Sequence, residues 1–282
     1  MTSNPHAILS DMIRTISLAR SLASRCSSLF PFLLAICVGM QCANADLVTL
    51  YTGAGFPSDQ PWLIYGNDFV GTASQTSVSG GVQVSSDNTA RAGYSNYIPL
   101  PIPILKNSTF PALDRTLGFE LEFRARIHSE AHISNDRAGF SVILLGKDAQ
   151  GIEIGFWNNQ VWAQNTGFTK GESQSFDTTV DRDYRLRITN DAYTLLESNQ
   201  TLLSGSIRNY GTPSVPYTLP SYLFLGDNTT SASANVTLGA IQLQSNLSSV
   251  PEPSSGMMIA AVATMAARRM FRRGGKPTDK KT

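Results

Sequence analysis

Residues 119–128 read FELEFRARIH, and the alternation in this stretch decides the fold. Phe119, Leu121, Phe123, Ala125 and Ile127 fall on one side of an extended chain, and Glu120, Glu122, Arg124, Arg126 and His128 on the other. A period of two marks a strand with one face buried and one face wet, as in an antiparallel sheet. Working outward, similar runs follow at 138–145, 152–157, 161–164, 184–189, 192–197, 200–207, 222–225 and 236–243. Weaker ones precede at 47–51, 82–84 and 91–98. Turn residues separate them, as in Asp148-Ala149-Gln150-Gly151, Asn158-Asn159 and Asn190-Asp191. No amphipathic helix of useful length interrupts the series. Many short strands at hairpin spacing predict an all-β domain, a two-sheet antiparallel sandwich in preference to a barrel.

The two ends of the chain do not share this pattern. Arg14, Arg20 and Arg25 precede an apolar run, Leu29 to Met40, and Ala43-Asn44-Ala45 then offers a small-x-small cleavage site. Residues 1–45 are expected to be a signal peptide cut after Ala45 by signal peptidase. An N-terminal anchor is disfavoured, since about 12 apolar residues fall short of the ~20 that a spanning helix needs. The segment before the run is long for a leader, and Met12 is an alternative start. Cys37 and Cys42 follow Ile36 and Gln41, where a lipidation site wants a small residue. All three cysteines lie in the leader, so the mature chain holds neither disulfides nor a Cys-based metal site.

At the other end Val250-Pro251-Glu252-Pro253 is followed by the small, apolar run 256–267 and then by Arg268, Arg269, Arg272 and Arg273. The two prolines set the tail apart from the preceding domain. The arginines hold the end of the apolar helix on the cytoplasmic side. The order of these three features resembles the PEP-CTERM sorting signal of Gram-negative bacteria. That resemblance implies an exosortase-type membrane enzyme as partner, transient residence in the inner membrane, and delivery to the cell envelope or extracellular matrix. Two departures are that the apolar run makes only ~18 Å of helix, and that a polar segment, 274–282, continues beyond the arginines. A simple single-pass tail anchor is the other reading.

Between the ends lies a single domain, 46–249, with 12 basic and 18 acidic residues, for a net charge of −6. An acidic domain without basic runs is a poor candidate for binding nucleic acid, and no such partner is expected. Gly118 to Trp162, with Arg137-Ala138-Gly139-Phe140-Ser141-Val142 and Gly151-Ile152-Glu153-Ile154-Gly155-Phe156 as a hairpin, is similar to the concanavalin A-like lectin/glucanase jelly roll. Tyr184-Arg185-Leu186-Arg187-Ile188, Thr194-Leu195-Leu196 and Leu203-Ser204-Gly205 continue the likeness, which includes laminin-G-type modules. It is a pattern of strands and turns and speaks to fold more than to function.

Catalysis is not expected. The Glu-x-Asp-x-x-Glu set of glucanases with this fold is absent, and retaining cleavage needs two carboxyls ~5 Å apart. Glu120 and Glu122 share a strand face, where charge pairing with Arg185 and Arg187 is the ordinary role. His128 and His132 are placed at a strand end and in the following loop, where a four-residue spacing aligns no metal ligands. No Gly-x-Ser-x-Gly elbow occurs. Weak calcium candidates are Asp136, Asp181, Asp183 and Asp227, although no one loop supplies the six to eight oxygens calcium wants; ordinary Asx turns are favoured.

The handle for sugar is a pair of tryptophans. If Ile152, Ile154 and Phe156 face the core, Trp157 faces out, and Trp162 falls beside it across the turn. Together they are a candidate stacking platform for carbohydrate; packing against a neighbouring strand or a loop such as Phe168 is the alternative. Asn-x-Ser/Thr sequons at Asn107, Asn199, Asn228, Asn235 and Asn246 reflect a composition rich in Asn, Ser and Thr. The expectation is an exported envelope or matrix protein with a structural or adhesive sandwich. A lectin-like module recognising polysaccharide is the first alternative, and a glycoside hydrolase the second.

Overall fold

A computed structural model of the chain describes residues 46–67, 72–99, 102–211 and 215–247. Ala43, Ala45 and the Pro-Glu-Pro tail with its arginines lie outside the described residues. Among the described residues the chain is strands and turns with one short 3-10 turn, Pro57–Asp59. No described helix is long and apolar enough to cross a membrane.

The strands form a two-sheet antiparallel sandwich. In spatial order the first sheet runs β15 (Gln200–Ser206), β14 (Ala192–Glu197), β13 (Arg182–Thr189), β8 (Phe119–His132), β17 (Ala232–Ser245), β4 (Gly81–Ser85) and β3 (Ser74–Val78), with β1 (Asp46–Tyr51) also paired to β17. The second runs β12 (Lys170–Ser175), β11 (Gln160–Gln164), β10 (Gly151–Trp157), β9 (Ser141–Leu145), β16 (Leu223–Asp227), β5 (Ala92–Ser95) and β2 (Ile64–Asn67). A small hairpin joins β6 (Tyr97–Ile98) and β7 (Ile104–Leu105). Strands distant in sequence lie side by side, β8 against β17 and β9 against β16, which is jelly-roll connectivity.

The alternation of β8 fixes which face is inside. Phe119, Leu121, Phe123, Ala125 and Ile127 are buried, opposite Ile152, Ile154 and Phe156 of β10. At the centre the rings of Phe123 and Tyr184 stack at 5.2 Å, and Phe156 meets Tyr184 edge-on at 5.2 Å. Each such side chain contributes roughly 1.5–3 kcal/mol on full burial.

Two irregularities in β17 break the regular pairing of the first sheet. Its register on β8 passes from Asn235↔Ser129 to Val236↔Ile127, leaving His128 without a partner. A bulge of this kind reverses the facing of every later residue. Glu130 therefore turns inward, its side chain only 3% exposed. The strand also runs on to His132, which the sequence placed in a loop; pairing with Ala232 extends it. The second irregularity, between Leu238 and Ile241, is where β17 exchanges β4 for β1 as its other neighbour.

The two sheets differ on their outer faces. That of the first carries the charged residues of β8 and β13. That of the second is roofed by an apolar layer of Tyr97, Ile143, Leu145, Tyr210, Tyr217 and Tyr222. Accordingly all five residues of β9 and all seven of β10 are buried. Lys106 secures the neighbouring loop, its ammonium donating to the carbonyls of Ser58, Gln60 and Leu63 at 2.7, 2.7 and 2.6 Å.

Candidate functional site: a polar groove on the first sheet

The exchange of β4 for β1 beside β17 leaves a gap in the sheet, and the gap is a groove of about 670 Å³. Its floor is small because Gly53, Gly80 and Ala240 meet there. Gly53 has φ +84°, and a Cβ on it would lie 3.3 Å from the Gly80 carbonyl oxygen and 3.4 Å from the Ala240 nitrogen. Any larger residue there is disfavoured by both conformation and space.

Its walls come from the out-facing positions of three adjacent strands. Register places Glu122 of β8 between Arg185 of β13 and Gln242 of β17. One step along, Arg124 grips Asp183 through two parallel bonds, Nε to Oδ1 and Nη2 to Oδ2, both 2.8 Å. The guanidinium holds the Asp183 carboxyl below the usual carboxylate range. Arg185 donates through Nη2 to Asn199 Oδ1 and stands 3.9 Å from Glu120. The groove thus holds a fixed array of hydrogen-bonding groups on rigid strands.

Glu120 is not part of it. Arg187 Nε donates to Glu120 Oε2 at 2.7 Å, and the Glu120 side chain is 3% exposed. Glu120 and Glu122, although they share a face, therefore occupy different environments: one is locked in an ion pair, and the other lines an open groove.

The tryptophan pair is positioned differently from the platform that the sequence suggested. Trp157 and Trp162 cluster with Ala138, apart from the core between the sheets, but they are 8% and 1% exposed. His132 stacks on Trp157 at 4.0 Å with planes 5° apart, and Lys170 Nζ lies 4.1 Å from the same ring centre. A parallel ring and an ammonium at those distances cannot share a side, so both ring faces are covered. Trp157 Nε1 donates to the Arg137 carbonyl at 2.8 Å. Trp162 lies over Gly155, where a Cβ would come within 2.6 Å of the indole. In this arrangement neither ring offers a face to a sugar, because the bulge that turns His132 inward delivers it onto Trp157.

The calcium candidates are dispersed among separate partners. Asp136 accepts from Ser134 Oγ at 2.6 Å. Asp181 is exposed just before β13, and Asp183 belongs to the Arg124 pair. Asp227 is buried between the sheets, accepting from Ser86 Oγ at 2.6 Å and the Thr229 N–H at 3.0 Å. Burial pushes its carboxyl up to about 8, against the lowering effect of these hydrogen bonds. Among the described residues no group of three or more His, Cys, Asp or Glu side chains is arranged to hold a metal ion. His128 Nε2 is 2.8 Å from Thr237 Oγ1, and His132 Nδ1 is 3.0 Å from Glu130.

A second polar centre escaped the sequence reading. Glu153 is fully enclosed under the roof of the second sheet, where Tyr217 Oη donates to Oε2 at 2.5 Å and Asn228 Nδ2 to Oε1 at 2.8 Å. Desolvation raises its pKa, and the hydrogen bonds from Tyr217 and Asn228 act in the opposite sense. The available signal was an acidic residue at an out-facing position of a strand otherwise made of apolar residues and glycine. Asn228 and Asn235, both in sequons, spend their side chains on Glu153 and Gln83.

No family model matches the chain, and no curated protein matches it. Several solved structures are similar in outline. A carbohydrate esterase, vb_24B_21 of the Shiga toxin-encoding bacteriophage phi24B, is 13% identical, with a TM-score of 0.47 over 71% of this chain and 100% of that one. The Ca2+-bound exoplasmic/lumenal domain of VIP36 is 14% identical, with a TM-score of 0.41 over 69% of this chain and 88% of its own. A Shewanella oneidensis MR-1 protein is 12% identical, with a TM-score of 0.43 over 75% and 91%. At these values no residue role transfers from any of them.

Proposed function

We propose that the chain is an exported envelope or matrix protein whose sandwich is a non-enzymatic carbohydrate-binding module, with the groove on the first sheet as its binding site. The observation that supports this reading is the groove itself. It is open, and it presents carboxylate, guanidinium and carboxamide groups at fixed spacing on three paired strands. Hydroxyl-rich ligands are recognised by such pre-placed donors and acceptors, since little conformational freedom is lost on binding.

Export and retention rest on the leader ending at Ala45 and on the Val250-Pro251-Glu252-Pro253 tail. A polysaccharide of the envelope or its matrix is the natural ligand class for a module held there. The absence of turnover is part of the proposal: Glu120 is held by Arg187 at 2.7 Å with Arg185 a further 3.9 Å contact, so the adjacent pair does not supply a free acid and a free base.

The test is a glycan-binding screen with the full chain, followed by calorimetry on any hit with Gln242→Ala and Asn199→Ala. Binding that both variants weaken by roughly three- to tenfold, the effect of about one lost hydrogen bond each, supports the groove. Binding that neither variant alters places the site elsewhere. A chain that binds no glycan is a structural or adhesive sandwich instead.

A further inference from the structure

The groove is lined by two carboxylates and two guanidinium groups, but they are not matched one to one by contact. Asp183 is neutralised by Arg124 through two 2.8 Å bonds. Arg185 is turned toward Asn199 and Glu120. Glu122 stands between Arg185 and Gln242 in the register, is half-buried, and its side chain makes neither a hydrogen bond nor an ion pair with any described residue. The Gln242 carboxamide beside it is likewise without a partner among the described residues. An unmet carboxylate next to an unmet carboxamide, in a groove where Arg124 is paired with Asp183 and Arg185 is held by Asn199 and by Glu120 beyond it, has room for a ligand that brings one positive charge and neutral hydrogen-bonding groups together.

We infer that the groove selects a glycan carrying free amino groups, a polymer of amino sugar that is at least partly deacetylated. The ammonium pairs with Glu122, and adjacent hydroxyls or acetamides bond to Gln242. This rests on the carbohydrate-binding reading above and specifies its ligand. The expected pairing is charge-assisted but only half removed from water, so the gain is modest, about two- to fivefold in Kd. A negatively charged glycan is disfavoured, because Arg124 and Arg185 are both engaged while Glu122 is not.

The experiment measures Kd for hexamers of β-1,4-linked glucosamine and of N-acetylglucosamine, and for a uronic acid oligomer. It uses the full chain, at mildly acidic pH where the amine is an ammonium. Tighter binding of the glucosamine hexamer, with the difference erased in Glu122→Gln, is the expected result. Gln242→Ala should weaken both hexamers alike and preserve their ratio. A preference due only to the domain's net charge of −6 would survive the change to −5 in Glu122→Gln, and that outcome overturns the inference. So does equal binding of the two hexamers, or a preference for the uronic acid oligomer. If no oligomer binds here and the broad screen is also blank, the carbohydrate reading fails; if the screen finds other glycans, only the amino-sugar inference fails.

Discussion

Asp227 carries the clearest consequence at the scale of a single residue. Its carboxyl moves from an ordinary value of 3.8 to about 8 because it is buried between the sheets. A carboxyl with a raised pKa in the fold favours the folded state while it is protonated. That contribution is complete below about 4 and is lost progressively as pH rises toward 8, where the fold must carry a buried negative charge. Asp227→Asn keeps the shape and removes the charge. Its Tm should match the parent in acid and exceed it by several degrees above pH 8, given about 2–4 °C per kcal/mol for a domain of this size. Thermal melts across that range check it, and a variant whose deficit against the parent is the same at every pH would refute it. The sequence named Asp227 for its oxygen, but only the fold shows that the oxygen points inward at Ser86.

Single strands were legible where one face met the core and the other met water. The alternation of β8 holds from Phe119 to Ile127, and those five apolar residues are all inside. Among the described strands, β2, β3, β7 and β12 went unread. Sequences such as Ser-Gln-Thr-Ser-Val in β3 and Lys-Gly-Glu-Ser-Gln-Ser in β12 lie at sheet edges with both faces largely wet, so no apolar period marks them. Bulges are the other blind spot. The one at His128 inverts the facing of Glu130 and His132, and through His132 it closes the Trp157 ring. Trp157 is therefore a packing residue, and Trp157→Ala should destabilise by roughly 3–5 kcal/mol, the cost of a large cavity. Urea unfolding measures this. A loss of glycan binding with unchanged stability would restore the platform.

At the scale of the whole molecule, the proposal assigns binding to the sandwich and export and sorting to the two ends of the chain. A chain ending at Ser249 keeps β17, the last of the described strands, and loses the Pro-Glu-Pro tail. It should fold as the parent does and escape into the medium, while the full chain stays in the envelope or matrix. Cell fractionation with mass spectrometry of both termini decides this, and equal distribution of the two forms would make the tail inert. What the sequence by itself determined is the class of fold, from periodicities of two, together with the expectation of export and sorting, from linear motifs read in order along the chain. The tertiary structure alone decided the candidate site. The groove exists because β17 changes neighbours at Gly239-Ala240, and because register sets Glu122 beside residues 63 and 120 positions away, Arg185 and Gln242. Local pattern governs which residues are extended and which side they face, since those are properties of neighbouring side chains. Which far-off side chain ends up alongside, and whether its charge is already matched, depends on strand pairing and bulges, which linear spacing does not encode.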